Sequence, residues 1–147
     1  MRIKQLPLSP SKHVEFPERA IQTFLAEDSP LMTALLARIL SGINRVTVVG
    51  SATDGWKAVC YASTLCPDLV LTDLNLPGLD GAEVTRRLKH QSNPPIIFVV
   101  TSDDTPESRA RCLTAGADAF FVKGLELPAQ LKTAIRNCFP MAQQAHP

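Results

Sequence analysis

Apolar residues in this chain come in short blocks separated by longer amphipathic stretches. The blocks are IQTFLA (21–26), RVTVVG (45–50), DLVLT (68–72), PIIFVV (95–100) and AFFVK (119–123). Several are continuously apolar, the pattern of strands covered on both faces of a parallel sheet. The stretches between them carry apolar residues three and four apart, the spacing of one helical face.

Ser29 is a capping residue for the first helix, with Pro30 at its first position. The apolar face predicted for that helix is Leu31, Met32, Leu35, Leu36, Ile39 and Leu40. Asp54 caps the second, which buries Ala58, Val59 and Ala62, and Asp80 caps the third, with Val84 and Leu88 inward. The fourth begins near Pro106 and ends at Ala115-Gly116, where glycine suits a helix C-terminus. The fifth starts near Leu127, with Leu131, Ile135 and Cys138 on one face. This alternation predicts an α/β domain with a doubly wound parallel sheet.

The 147 residues are enough for one domain, and 45% of them are hydrophobic against 20% charged, an ordinary globular balance. Residues 1–19, with Pro7, Pro10 and Pro17, show no periodicity and read as a flexible leader. The domain spans 20–138, and 139–147 form a short tail with no room for a DNA-binding module. A formal net charge of +1 gives no global attraction to nucleic acid or anionic membrane, and the basic leader residues Arg2, Lys4, Lys12 and Arg19 are dispersed. Without a membrane-length apolar run or a secretory signal, a cytoplasmic location is expected. Cys60, Cys66, Cys112 and Cys138 form no C-x-x-C pair and have no histidine close by, so they are expected to be small buried helix residues. Trp56 is expected to pack, Gly81 reads as backbone punctuation, and His13, His90 and His146 read as solvated.

The chemistry gathers at the strand ends. The first strand ends in Glu27-Asp28, the third in Asp73, the fourth in Thr101 and the fifth in Lys123. Ligands of open parallel sheets bind outside the carboxyl ends of the strands. Three carboxylates converging there repel one another unless a divalent cation joins them, and an all-oxygen set suits magnesium. Asp28 and Asp73 are the expected direct ligands, with Glu27 acting through water or from behind them. A phosphoryl group arriving at Asp73 would meet the metal, the Lys123 ammonium and the Thr101 hydroxyl, which together can stabilise its transfer onto the carboxylate.

The stretches FLAEDSP, LVLTDLNLPGLDG, VVTSDD and AGADAFFVKG resemble receiver domains of bacterial two-component response regulators. The resemblance covers about residues 20–138 and implies a flavodoxin-like receiver fold: five parallel strands in the order 2-1-3-4-5 with five helices. It implies Asp73 as phosphoacceptor, Glu27 and Asp28 as the acid pair, and the backbone carbonyl of Asn75 as a further magnesium ligand. It also implies Thr101 as switch hydroxyl, Lys123 as phosphoryl contact, Phe120 as switch aromatic, and Asn75 and Asp103 as positions that tune rates. The expected donor is a sensor histidine kinase or phosphotransfer protein. The output is a protein target met by helix 4, strand 5 and helix 5, without direct nucleic-acid or membrane binding. No enzymatic activity is implied beyond self-catalysed phosphorylation and dephosphorylation. One departure is Gly124, where the family usually has proline. Another is KGLELPAQLKTAI, which lacks the charge pattern of regulators that dimerise through the last two helices.

Other functions fit less well. A magnesium-dependent phosphatase with an aspartate nucleophile needs an acid two residues on, where Asn75 stands, and its nucleophile normally follows the first strand. A flavodoxin-like cofactor binder needs a phosphate loop where Glu27-Asp28 lies. A pseudo-receiver that binds partners without phosphorylation would not need the complete residue set.

Overall fold

The computed structural model describes residues 19–141, so the leader apart from Arg19, the end of the tail, His13 and His146 lie outside the described residues. The elements are β1 (Ile21–Ala26), α1 (Pro30–Ser41), β2 (Val46–Ala52), α2 (Gly55–Leu65), β3 (Leu69–Thr72), α3 (Gly81–Lys89), β4 (Ile96–Thr101), α4 (Pro106–Ala115), β5 (Ala119–Val122) and α5 (Leu127–Cys138). The strands form one parallel sheet in the order β2-β1-β3-β4-β5. Chain order reverses between β1 and β3, which puts the switch point beside Glu27 and Asp73.

Two apolar layers cover the sheet. On one face Leu36 and Leu40 of α1 and Leu127, Leu131 and Ile135 of α5 pack on Leu25, Leu71 and Phe98. On the other, Ala58 and Ala62 of α2 and Val84 and Leu88 of α3 pack on Phe24, Val70 and Ile97. Cys112 of α4 extends that layer over Val99. β3 and β4 are thus covered on both sides, which is why their sequences are continuously apolar.

Capping is local and matches residue chemistry. Ser29, Asp54, Asp80 and Thr105 each accept the backbone N–H three residues on, from Met32, Lys57, Glu83 and Ser108. Gly116 ends α4 at φ 112°, a left-handed conformation that glycine takes without strain.

Three expectations need correction. The apolar face of α1 is narrower than predicted: Leu36 and Leu40 are buried, whereas Leu31 is 80% and Leu35 47% exposed. At 100° per residue, Leu31 and Leu35 fall well to one side of the Leu36–Leu40 line, outside the stripe that reaches the sheet. Of the cysteines only Cys112 is buried, and Cys138 faces solvent beside the inward Ile135. Trp56 is largely exposed: its ring covers Gly78 and carries the Arg87 guanidinium 5.0 Å from its centroid.

Gly81 is more than punctuation. Its φ is ordinary, but a Cβ there would lie 2.1 Å from the carbonyl oxygen of Asp73 and 2.8 Å from the Cα of Leu74. Gly55 likewise approaches the Leu79 carbonyl oxygen, 2.0 Å from where its Cβ would be. The Gly81 N–H donates to Leu74 O at 2.7 Å and the Gly55 N–H to Pro77 O at 2.9 Å. The two glycines let the starts of α3 and α2 clamp the loop that follows Asp73. Gly81→Ala is therefore expected to displace that loop and destabilise the protein by about 1–3 kcal/mol, the usual cost of overpacking. Urea denaturation measures the loss, with Gly124→Ala as a neutral control because a Cβ at 124 meets nothing within 4 Å.

Candidate functional site

The C-terminal ends of β1, β3 and β5 bring Glu27, Asp73 and Lys123 into direct contact. Backbone hydrogen bonds fix the rim: Glu27 N–H donates to Ala52 O, Asp73 N–H to Ala26 O and Lys123 N–H to Thr101 O, at 2.9–3.0 Å. The Lys123 Nζ lies 2.8 Å from Asp73 Oδ2 and 3.0 Å from Glu27 Oε1. Lys123 is partly covered, and Glu27 and Asp73 are both buried.

The second oxygen of each carboxylate is also engaged. Glu27 Oε2 accepts the Ser29 N–H at 3.1 Å, and Asp73 Oδ1 accepts the Asn75 N–H at 3.2 Å. Asp28 is exposed at the mouth. Glu27, Asp28 and Asp73 each offer an oxygen within 4.8 Å of the others. With all three ionised, three negative charges face the one ammonium of Lys123, a surplus of two. That surplus and an all-oxygen donor set fit a hard divalent cation such as magnesium.

The electrostatics reflect this crowding. Burial pushes the Glu27 carboxyl above its ordinary range, and the Asp73 charge adds to the rise; the Ser29 N–H and Lys123 oppose it without cancelling it. Burial alone would lower the Lys123 ammonium, but hydrogen bonds to Asp73 and Glu27 outweigh it and raise its pKa. Lys123 therefore stays charged.

Thr101 is fully buried at the end of β4, and its Oγ1 accepts the Asp103 N–H at 3.3 Å. Asp103 turns its carboxylate to α4, where Oδ2 accepts the Ser108 hydroxyl at 2.8 Å. Phe120 is half-buried in β5, with the Arg109 guanidinium 4.6 Å from its ring centroid. Asn75 is exposed beside Asp73. Asp80 is a helix cap and pairs with Arg111. His90 caps the end of α3, its Nδ1 2.7 Å from Arg86 O, away from the acid cluster. Sequence reading missed Ser108 and Arg109, whose roles depend on contacts made by α4.

The model of the response regulator receiver domain matches residues 23–136. A protein-glutamate methylesterase/protein-glutamine glutaminase of Methanospirillum hungatei is 39% identical over 105 residues, covering 70% of this chain and 30% of that protein. The nitrate/nitrite response regulator NarL of Escherichia coli is 33% identical over 113 residues, covering 77% of this chain and 52% of that one. The chain thus spans about half or less of these relatives. Among solved structures, the receiver domain of NarL from Mycobacterium tuberculosis superposes with a TM-score of 0.76 at 28% identity, covering 82% of this chain and 96% of that one. The response regulator domain of Thermotoga maritima CheB gives 0.70 at 26% identity, covering 88% and 100%.

The raised Glu27 carboxyl sets a pH dependence. A carboxyl that is harder to ionise when folded than its ordinary 4.5 supports folding below that value and loses this contribution as pH rises through its folded pKa. Lys123→Met removes the opposing ammonium, so the loss should move to higher pH and grow. Urea denaturation in mildly acidic and mildly alkaline buffer should show a stability deficit of the variant that widens with pH. A deficit that is constant with pH would contradict the charge account.

Proposed function

The chain belongs to the response regulator receiver family, and from that premise we propose that Asp73 accepts a phosphoryl group from a phosphohistidine on a sensor kinase or phosphotransfer protein. The observation that carries the reading is the pair of buried carboxylates, Glu27 and Asp73, bridged by Lys123 at the switch point of the sheet.

In the proposed transfer the Asp73 carboxylate attacks phosphorus, the P–N bond to the donor histidine breaks, and the electron pair leaves with the imidazole. The Lys123 ammonium neutralises charge on the transferring oxygens, and the Asn75 N–H orients the carboxylate. Asp28, Asp73 and the Asn75 carbonyl would hold magnesium, which when bound supplies charge compensation for the phosphoryl oxygens. Glu27 fits a role behind that set, because both its oxygens already serve Lys123 and Ser29. No carboxylic acid stands at position 75 to act as the general acid of a phosphatase, which favours an acceptor over a turnover enzyme.

The product would signal through Thr101 and Phe120 to the face made by α4, β5 and α5. A groove of about 950 Å³ runs along that face, lined by Arg109, Phe120, Leu125, Gln130 and Asn137 among others. Leu125 is fully exposed there, suiting a protein partner with an apolar anchor. The larger proteins that carry related domains add their own activities, and none is assigned to this chain. Among the described residues no helix is long and apolar enough to cross a membrane.

Incubation with magnesium and acetyl phosphate should add one phosphoryl group by intact mass, removable by hydroxylamine. Asp73→Asn should remove the adduct, and chelation of magnesium should prevent its formation. An undiminished adduct on Asp73→Asn would place the acceptor elsewhere.

A further inference from the structure

Where β1 begins and α5 ends, the apolar layer between them is open. Ile21 and Ile135 belong to the buried core of that face, and Ile43 and Phe139 pack against it. With Met141 they line a cavity of about 180 Å³. That is smaller than the roughly 300–1,000 Å³ of most small-molecule sites and suits one or two side chains. The rim is basic: Arg45, Lys132 and Arg136 line it, and no acid among the described residues does. Lys132 and Arg136 are exposed and have no carboxylate partner among the described residues.

Arg45 fixes what stands beside this cavity. Its backbone is held at φ 76°, a left-handed conformation that a residue with a side chain seldom adopts. From there its Nε donates to Arg19 O at 3.3 Å and its Nη1 to Phe139 O at 3.0 Å. Its carbonyl accepts the Ile21 N–H at 2.6 Å. The Arg19 side chain is held in turn by Asp68, 3.2 Å away. The chain before Arg19 therefore joins the domain at a point clasped to the rim of the cavity.

One stretch of that preceding chain matches the cavity in chemistry. Val14-Glu15-Phe16-Pro17-Glu18 carries an aromatic side chain between two acids. Arg2, Lys4 and Lys12 further back share the charge of the rim, and AQQAHP after Met141 has neither an acid nor a large apolar side chain. Phe16 is three residues from Arg19, so an extended link spans about 10 Å.

We propose that residues 14–18 dock on this cavity, with Phe16 inserted against Ile43 and Ile135 and with Glu15 and Glu18 facing Lys132 and Arg136. The occupant is a segment of the same chain because its short tether gives it an effective concentration on the order of millimolar, which a separate partner would have to exceed. Ring and cavity wall leave water together, and the two acids neutralise the rim. The docked segment covers the end of α5 and leaves the acid site, at the opposite ends of the strands, open.

Methyl NMR on the full chain tests this. Cross-relaxation should connect the Phe16 ring to the Ile43 and Ile135 methyls, and Phe16→Ala should shift both methyl resonances. Ile97, on the other face of the sheet, should not move, which separates undocking from general loosening. Glu15→Lys with Glu18→Lys should shift the same two methyls in the same direction, and adding Lys132→Glu with Arg136→Glu should return them toward their wild-type positions. Ile43 and Ile135 resonances that ignore Phe16→Ala, or a charge reversal that the second reversal does not rescue, overturn the docking. Resonances that change with protein concentration would place the segment on a second copy and overturn the intramolecular assignment.

Discussion

The ion pairs of Lys123 with Glu27 and Asp73 are the constraint to which the rest of the site answers. Two carboxylates buried side by side at strand ends carry a large desolvation cost, and their mutual repulsion adds to it. A single ammonium 2.8 and 3.0 Å away offsets much of both. The arrangement needs β5 at the sheet edge with its last residues level with β1 and β3, and the parallel order β2-β1-β3-β4-β5 supplies it. The compensation is incomplete, since Glu27 still resists ionisation and Asp28 adds a third charge at the mouth. A site left short of positive charge is suited to a divalent cation and to a phosphoryl group that arrives with one.

Holding Asp73 in that geometry falls to its neighbours. The loop from Leu74 to Asp80 leaves β3 and is pressed by the N-termini of α2 and α3 through Gly55 and Gly81. Those glycines permit helix backbone to touch loop backbone, a contact that any side chain would open. Trp56 closes the outer side over Gly78, whose φ of 82° suits glycine. Close packing behind Asp73 and an open mouth at Asp28 suit the proposed acceptor, a residue that would have to be aimed yet reachable.

Much of this was legible in the sequence because its causes are local or periodic. Strands covered on both faces are nearly continuous in apolar residues, so β3 and β4 announced themselves. Caps need a side-chain oxygen at one position, so Ser29, Asp54 and Asp80 could be read directly. Thr105-Pro106 repeats the Ser29-Pro30 signature and was readable by the same rule. The acid pair, Asp73, Thr101 and Lys123 followed from their places at the ends of apolar runs. What stayed hidden depends on neighbours distant in sequence. Leu31 and Leu35 have core-like spacing, but only the docking angle of α1 shows that they miss the sheet. Cys60, Cys66 and Cys138 are apolar enough for a core and lie on outer faces. The tight approach of Gly81 to Asp73, and the reach of Ser108 to Asp103, exist only once helices sit on the sheet.

The β4–α4 connection lies between the proposed acceptor and the proposed output surface, and the strengths of its contacts bear on how it could act. Asp103 is tied to Thr101 and Ser108, whereas Asp104 pairs with Arg109 at 2.8 Å and Arg109 lies over Phe120. Both members of the Asp104–Arg109 pair are about half exposed, so it contributes at most about 1 kcal/mol. The cation–π contact with a half-buried ring adds about 0.5–1 kcal/mol. A phosphoryl group that drew in the Thr101 hydroxyl would make charge-assisted hydrogen bonds of about 1.5–3 kcal/mol. The restraint on Phe120 is thus no larger than what one such bond can supply, so in the proposed switch a modest differential interaction at Asp73 would suffice to shift the population of the α4–β5–α5 surface. In the proposed switch the buried pairs with Lys123, costly to break one partner at a time, would hold Asp73 in place while the exposed outer contacts rearranged.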